Sequence, residues 1–429
     1  MRFLNVLLLI TITLFLTACS TKNITIDDIK IEDVKIYPQN PSIYMDNFQN
    51  VPLDKNELSK NFIKKYFSPW DLESIKYSKQ EASWGNIYSK RKIYLENYRL
   101  APKEWFEKVI DNANFEKYNT SLLKAITTRN CDFRVFPTKS PLFYNPKKAG
   151  EGFPFDYNQN SRVKINTPVF VSHFSKDKAW AFVQSHYVLG WVRVDNLLFV
   201  DDTQISQFTN NPLFVITKEG YQIFDKNLSE ELKVGTFFPK ENGKYLLATN
   251  FGIKEVSLNE DSIEPFPLDF NKNDISKLLN QFISEPYGWG GLNNNRDCSS
   301  FTQDFFTPFG IYLNRNSKAQ TTLNRYIDIS KFSDKEKKEF ILNNAIPFLT
   351  LIYLRGHIML YIGKKNNEPL VMHNMWGVRT KKYPSMVGRN VVGKTVITTL
   401  EPGIELEMAD KENTILKRVQ GIVLLNEKR

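Results

Sequence analysis

The pattern of apolar and polar positions changes along the chain, and its first part has the spacing of helices. In "LSKNFIKKYFSPW", Leu58, Phe62 and Tyr66 recur every fourth residue, which is the spacing of one helix face. In "PKEWFEKVIDNANF", Pro102 stands where a helix would start, and proline is tolerated in a first helical turn. Residues 46–119 are therefore predicted to form a helical N-terminal module.

Short alternating runs, separated by Pro, Gly and Asn, predict strands in the next part of the chain. "VKINTPVFVSHF" and "AWAFVQSHYVLGWVRVDNLLFV" fall in residues 120–200 and are typical of a small antiparallel barrel. The second run resembles the end of a bacterial SH3-type domain. "PLFVITKEGYQIFDKN" and "GTFFPKENGKYLLAT" show the same short alternating runs separated by turn residues. Residues 201–264 are therefore predicted to form a second, more degenerate barrel. His173 and His186 are interpreted as ordinary surface or core residues of the first barrel.

Residues 265–429 begin with helical patterns and continue with strands. Leu278, Leu279 and Phe282 lie on one face of a predicted helix that Pro286 stops. The runs "PFLTLIYL", "HIMLYIG", "PLVMH" and "VVGKTVITTL" follow as strands. This order predicts an α+β domain.

The first residues have the pattern of a targeting segment. Arg2 precedes an apolar run that is too short to span a bilayer as a stable anchor. The run ends in Leu-Thr-Ala-Cys19, which resembles a bacterial lipobox, so residues 1–19 are predicted to be a lipoprotein signal peptide with Cys19 as the lipidated residue. An ordinary secretory signal is the alternative. Residues 20–45 are predicted to be a tether.

This segment predicts an exported protein, lipid-anchored in the cell envelope. Ser20, and not Asp, follows Cys19, which predicts the periplasmic side of the outer membrane if the cell is Gram-negative. The chain has 429 residues and a formal net charge of +10, and such a surface is attracted to an anionic wall or lipid. No nucleic-acid recognition motif is visible, and we expect a monomer.

"YGWGGLNNNRDCSSF" contains one of only three cysteines of the chain. Asp297 is a good N-cap, so Cys298 is predicted at the first position of a helix, where the macrodipole lowers the pKa of a thiol. Phe301 and Phe305 follow on one face, and the Trp-Gly-Gly stretch allows backbone to approach a ligand. Cys298 is therefore a candidate nucleophile. The alternatives are an inert buried thiol and a Cys131–Cys298 disulfide.

Two histidines lie on neighbouring predicted strands downstream of Cys298. His357 opens "HIMLYIG", and His373 ends the next strand after a short turn. If Gly363 faces Pro369 across the hairpin, His357 and His373 are diagonal neighbours about 7–8 Å apart at the backbone. A cysteine nucleophile needs a base and a residue that orients the base. The spacing therefore predicts a Cys–His–His triad.

The motifs "YGWGG", "RDCSSF" and "GHIMLYIG", followed by a second histidine, resemble the NlpC/P60 family of cell-wall cysteine peptidases. The resemblance implies a papain-like α+β core preceded by a helical module and two SH3b barrels. It also implies that Cys298 is the nucleophile, His357 the base and His373 the orienting residue. The family commonly has glycine where this chain has Ser300, and we expect no loss of activity from this difference.

The resemblance further implies cleavage between γ-D-glutamate and the diamino acid of peptidoglycan stems, with a preference for a free N-terminal L-Ala. Asp297 would pair with the substrate amine, Ser299 matches the family's substrate-binding serine after the nucleophile, and Tyr287 would line the same pocket. Arg315 and Ser317 would contact the glutamate carboxylate. Asp297 could instead serve only as a cap, and Arg315 could simply be solvated.

Other functions stay open at this point. One is a cell-wall amidase, or a peptidase of other specificity, with the same triad. The other is a non-catalytic wall-binding lipoprotein. The expected partners are peptidoglycan stem peptides or released muropeptides, together with a membrane through the lipid anchor. Neither a metal nor an organic cofactor is expected, because no Cys/His cluster has ligand spacing.

Overall fold

A computed structural model describes residues 31–225, 228–382 and 386–428 of the chain. The predicted signal peptide with Cys19, and the first part of the predicted tether, lie outside the described residues. These described residues form one compact unit. Within the described ranges, no helix has both the length and the apolar character needed to cross a bilayer.

Residues 31–45 are part of the folded unit, so the prediction of a tether is wrong for them. Helix α1 (Asp33–Ile36) is followed by a 3₁₀ helix (Pro41–Asn47), and Tyr44 is buried in the core of the C-terminal module. Asp33 Oδ2 accepts hydrogen bonds from the backbone N and the hydroxyl of Thr399 at 2.7 and 2.8 Å. The Asp33 carboxylate is therefore buried and hydrogen-bonded.

The predicted helical module is confirmed, with helices α2 (Lys55–Phe67), α3 (Lys79–Ala82) and α4 (Lys103–Asn112). Phe62 and Tyr66 are buried against strands of both strand-rich modules. Pro102 lies at the N-cap of α4, one position before the helix.

The first strand-rich module is a seven-stranded antiparallel sheet with the order β3-β2-β6-β5-β4-β1-β7. Its core contains the fully buried aromatic rings of Phe133 and Trp191. Its strands are β1 (Leu123–Thr127), β2 (Cys131–Arg134), β3 (Gln159–Val163), β4 (Pro168–Phe174), β5 (Trp180–Gln184), β6 (Leu189–Arg193) and β7 (Leu197–Phe199).

The second strand-rich module starts with helix α5 (Asp202–Thr209). It contains a five-stranded sheet of order β13-β12-β11-β8-β14 and a β9–β10 hairpin. The strands are β8 (Leu213–Ile216), β9 (Tyr221–Asp225), β10 (Leu228–Leu232), β11 (Phe237–Glu241), β12 (Lys244–Thr249), β13 (Gly252–Val256) and β14 (Ile263–Pro265).

The C-terminal module has the α+β architecture that the sequence predicts. Its sheet has the order β15-β20-β16-β17-β18-β19. The helices are α6 (Lys272–Phe282), α7 (Cys298–Phe306), α8 (Asp334–Asn344) and α9 (Ile415–Arg418). The strands are β15 (Asn324–Asp328), β16 (Thr350–Leu354), β17 (His357–Lys365), β18 (Glu368–Lys382), β19 (Met386–Thr398) and β20 (Val419–Lys428).

Helix α7 is fixed to the sheet by its aromatic stripe. Phe301 and Phe305 are fully buried in the core that α6 and α7 share with β17 and β18. Burial of such a side chain is worth about 1.5–3 kcal/mol relative to exposure. The start of α7, with Cys298, is thereby held against β17.

The β17–β18 hairpin differs from the predicted register at its turn. Gly363 pairs with Leu370 and not with Pro369. A bulge between Tyr361 and Gly363 then shifts the register by one residue, so that Leu360 pairs with Met372. At the histidine end of the strands, the pairing is therefore the predicted one.

Three cations and three carboxylates form a largely buried ionic cluster where both strand-rich modules meet the C-terminal module. The Arg296 guanidinium donates to Asp304 at 2.7 Å, to Glu285 at 2.8 Å and to Glu219 at 2.9 Å. Lys233 contacts Glu219 at 2.6 Å. The ionic cluster consists of Lys164, Glu219, Lys233, Glu285, Arg296 and Asp304.

Arg296→Met removes the cation that three carboxylates share. We expect the free energy of unfolding to fall by about 3–5 kcal/mol, because buried carboxylates lose their counter-charge. Guanidinium chloride denaturation measures the loss. The matched control is Arg325→Met, which removes an exposed pair with Glu427 and should cost less than about 1 kcal/mol. Equal losses in the two variants would contradict a special role for Arg296.

Candidate active site

Cys298 is the first residue of α7, as the sequence predicts, and Asp297 caps the helix. The Asp297 carboxylate accepts hydrogen bonds from the backbone N–H groups of Ser299 at 3.1 Å and Ser300 at 2.8 Å. Cys131 and Cys298 are both free thiols, so the alternative of a disulfide between them is wrong.

The pKa of the Cys298 thiol is raised, so the prediction of a lowered pKa at the helix start is wrong. Burial raises the pKa to about 12, and the negative charge of Asp297 acts in the same direction. The backbone N–H groups of Ile358 and Ser299 oppose this rise by hydrogen bonding to the sulfur. Because Ile358 follows His357 in β17, these contacts place the sulfur at the start of the histidine strand. A thiol in this state needs a base.

His357 and His373 form a hydrogen-bonded pair, and His357 directly precedes Ile358, whose N–H contacts the Cys298 sulfur. His357 Nε2 and His373 Nδ1 are 2.7 Å apart, and His373 Nε2 lies 3.1 Å from Thr398 Oγ1. The Thr398 hydroxyl donates its own hydrogen to the carbonyl of Thr399 at 2.7 Å, so it accepts from His373 Nε2–H. His373 Nδ1 is then an acceptor and His357 Nε2–H a donor. His357 Nδ1 therefore keeps a free lone pair.

Both histidines are neutral at pH 7. Burial, followed by the charge of Arg418, lowers the pKa of His357 to about 4. Burial and the neighbouring His357 lower the pKa of His373 well below its ordinary value. A neutral His357 with a bare Nδ1 has the protonation state that a general base requires.

The site opens into a cleft of about 530 Å³ bordered by the N-terminal module, the first strand-rich module and the C-terminal module. The candidate residues that line it together with Cys298 are Tyr287, Asp297, Ser299, Arg315 and Ser317. The opposite walls include Tyr88, Tyr157 and His186. Among the described residues, no three His, Cys, Asp or Glu side chains are grouped so as to hold a metal ion.

Asp297 and Arg315 form a buried bidentate ion pair inside the cleft. Arg315 Nη1 and Nη2 donate to the two carboxylate oxygens at 3.0 and 2.8 Å, and Nε donates to Ser161 at 2.8 Å. Burial opposes the charge of Asp297, but Arg315 and the helix start together lower its pKa to about 2. Gly290 N–H also donates to this carboxylate at 3.1 Å. The alternative of a solvated Arg315 is therefore wrong, whereas contacts of either residue with a substrate stay predictions.

Two glycines before Cys298 let the first strand-rich module approach the nucleophile closely. Gly290 and Gly291 have φ values of 60° and 86°. A Cβ on Gly290 would lie 2.8 Å from the carbonyl oxygen of Gln159, and one on Gly291 would lie 2.4 Å from the Cβ of Arg162. The sequence predicts that backbone in this stretch comes close to a ligand. In the structure, the backbone of Gly290 and Gly291 comes close to strand β3 instead.

Some residues of the site could not be found from the sequence pattern. Thr398 closes the histidine chain, but nothing in "VVGKTVITTL" distinguishes it from a structural threonine. His186 was interpreted as an ordinary residue, yet it lines the cleft. Burial lowers the pKa of His186 to about 3, and its carbonyl accepts from the Tyr312 hydroxyl at 2.7 Å.

Three segments of the chain match known domain families. Residues 8–118 match the N-terminal NLPC_P60 stabilising domain. Residues 141–193 match the SH3 domain of the SH3b1 type. Residues 284–385, which contain Cys298, His357 and His373, match the NlpC/P60 family. No curated protein matches the chain.

Solved structures share the fold. An NlpC/P60 endopeptidase from Photobacterium damselae subsp. piscicida superposes with a TM-score of 0.81 at 23% identity, over 91% of this chain and 98% of that one. An NlpC/P60 family protein from Bacillus cereus ATCC 10987 has a TM-score of 0.46 at 16% identity, over 70% of this chain and 98% of that one. The first comparison supports a common arrangement of all the modules.

The four histidines make stability depend on pH. The pKa values of His173 and His357 are lowered to about 4 and that of His186 to about 3, and burial lowers the pKa of His373 well below its ordinary value. Below about pH 6.5 the unfolded chain takes up protons that the folded chain does not. The free energy of unfolding should therefore fall with decreasing pH, by up to about 1.4 kcal/mol per pH unit for each histidine.

Urea denaturation at pH 7 and pH 5 measures this loss. The variant His173→Gln should show a shallower decline, because it removes one of the groups without touching the cleft. A stability that is the same at both pH values would contradict the lowered pKa values.

Proposed function

We propose that the chain is a cell-wall cysteine peptidase in which Cys298 is the nucleophile, because residues 284–385 match the NlpC/P60 family. The observation that supports this most is the chain of hydrogen bonds from His357 through His373 to Thr398. These hydrogen bonds leave Nδ1 of His357 free to accept a proton. His357 directly precedes Ile358, whose backbone N–H donates to the Cys298 sulfur. A binding protein without activity has no use for this arrangement.

The proposed reaction starts from a neutral thiol and a neutral imidazole. His357 Nδ1 takes the Cys298 proton as the sulfur attacks the scissile carbonyl carbon. The resulting oxyanion can accept from the Cys298 backbone N–H, which the Asp297 cap does not use, and from the hydroxyl of Tyr287. Burial keeps the pKa of Tyr287 well above its ordinary value, so this hydroxyl stays a donor.

The intermediate then collapses in two stages. The C–N bond breaks, the leaving amine takes the proton from His357, and a thioester remains on Cys298. Water next attacks the thioester and gives a proton to His357. The C–S bond breaks, the acid fragment leaves, and the proton returns to the sulfur. His373 holds the His357 ring and stabilises its transient positive charge, with its own Nε2–H held by Thr398.

We further propose that the scissile bond joins γ-D-glutamate to the diamino acid of a stem peptide with a free N-terminal L-Ala. Such a fragment carries an ammonium and a carboxylate, and the cleft carries Asp297 beside Arg315. Both Asp297 oxygens already accept hydrogen bonds, whereas Arg315 retains one Nη2 hydrogen that no contact uses among the described residues. Binding of the amine by Asp297 therefore requires Arg315 to give up one of its two hydrogen bonds to this carboxylate.

The cellular setting is also a proposal. A lipid on Cys19 would hold a monomeric enzyme in the cell envelope, where a chain of net charge +10 is attracted to the anionic wall. The anchored enzyme would act there on peptidoglycan or on released muropeptides.

The direct test uses the protein from residue 20 onward, which lacks Cys19, beside the same protein with Cys298→Ala. Stem peptides with a free or an acetylated L-Ala amine are incubated with each, and the products are weighed by mass spectrometry. We expect cleavage after γ-D-glutamate by the parent protein only, and faster cleavage of the free amine. Cleavage at another bond would favour an amidase or a different peptidase. No cleavage, with wall binding retained, would contradict the proposed activity.

Thr398→Val tests the hydrogen-bond chain. The variant keeps the side-chain shape but leaves His373 Nε2–H without its acceptor. We expect kcat to fall by about tenfold or more, since a buried unpaired donor costs about 1–3 kcal/mol, with little change in KM. Thr395→Val, at another fully buried threonine of the same strand, is the matched control. Equal effects of the two substitutions would contradict a role for Thr398 in orienting His373.

A further inference from the structure

Another cavity, of about 70 Å³, lies where the β18–β19 hairpin meets the segment before β20. Three arginines line it, namely Arg379 of β18, Arg389 of β19 and Arg418 at the end of α9. We call these three residues with the cavity the arginine pocket. Among the cavity's lining residues the only carboxylate is that of Asp410.

The register of the hairpin concentrates positive charge in the arginine pocket. Arg379 pairs directly with Arg389 across the two strands, and like charges in this position are destabilising. Arg379 Nε contacts Asp410 Oδ2 at 2.7 Å. Asp410 also accepts from the Asn413 amide at 3.0 Å. A single carboxylate thus faces three guanidinium groups.

Two of the three arginines form no salt bridge in the part of the chain that the structure describes, although the charge of Asp410 acts on Arg389. Arg389 Nη1 donates to the carbonyl of its neighbour Gly388 at 2.9 Å, and Arg418 Nη2 lies 3.4 Å from the carbonyl of Arg355. The pKa of Arg389 is lowered by burial and then by Arg379 and Arg418, and that of Arg418 by burial and Arg379. An anion in the pocket would relieve this repulsion.

The arginine pocket lies on the His357 side of the catalytic cleft. Val419, next to Arg418, pairs with Leu354 just before the turn that leads into His357. Gly356 of this turn lines the cleft. The charge of Arg418 is also close enough to lower the pKa of His357. Because His357 passes its proton to the leaving amine, the fragment that carries the amine departs on this side.

We propose that the arginine pocket binds a carboxylate of the amine-side fragment, that is, of the diamino acid or the residue after it. This inference rests on the proposed peptidase function. Guanidinium forks match the two oxygens of a carboxylate, and the cavity has room for such a group. The pocket would select stems whose amine-side fragment is anionic and would hold that fragment during attack on the bond.

The test compares two stem peptides that differ only in the amine-side fragment, one with free carboxylates and one with the same groups amidated. The full chain and its variant Arg389→Gln are assayed with both. We expect the variant to lose about tenfold or more in kcat/KM for the carboxylate stem, mainly through KM, and to cleave the amidated stem as the parent does. Arg325→Gln, at the opposite edge of the same sheet, is the control for charge.

Equal losses with both stems, or no loss with either, would overturn the proposal. Binding of the same two stems to Cys298→Ala, with and without Arg389→Gln, is measured by calorimetry as a separate arm. A preference for the carboxylate stem that Arg389→Gln abolishes supports the pocket even if the parent cleaves neither stem, in which case only the proposed function fails. Inorganic phosphate is titrated as well. Binding of phosphate through Arg389 without any preference between the stems would show a phosphate site and overturn the proposal.

Discussion

Arg296 is buried one residue before Asp297 and two before Cys298, and its guanidinium is shared among carboxylates of two modules. A buried guanidinium is costly unless its donors are satisfied, so the modules must meet in one arrangement. Lys164 and Lys233 complete the charge balance from the two strand-rich modules. The position of the nucleophile therefore depends on domains that contribute no catalytic group.

The same packing sets the chemistry of the cleft. Burial raises the pKa of Cys298 and lowers that of His357, so the resting pair is a thiol and a neutral imidazole. Charge appears only when the proton moves toward His357 as a substrate is attacked. The chain from His357 through His373 to Thr398 can stabilise that charge, and the Thr398 hydroxyl fixes which nitrogen is available. Burial keeps Cys298 and His357 neutral at rest, and the fixed tautomer leaves His357 Nδ1 available for the proton of Cys298.

Local patterns predicted the helical module, the two strand-rich modules, the Asp297 cap and the pairing of His357 with His373. They could do so because each depends on periodicity or on short-range geometry. The pKa of Cys298 was mispredicted because the helix start is a local effect, whereas burial comes from distant elements. The packing of residues 31–45 and the role of Gly290 were missed for a similar reason, since both depend on contacts with segments far away in the sequence. Thr398 and the ionic cluster carry no local signal at all.

The central claim is that Cys298 forms a covalent intermediate with the acid side of a stem peptide. Rapid acid quenching of the enzyme during turnover, followed by intact-protein and peptide mass spectrometry, tests it most directly. The account predicts a thioester on Cys298 whose added mass equals that of the L-Ala-γ-D-Glu fragment minus water. Cleavage that proceeds without such an adduct, or that persists in Cys298→Ala, would contradict the account.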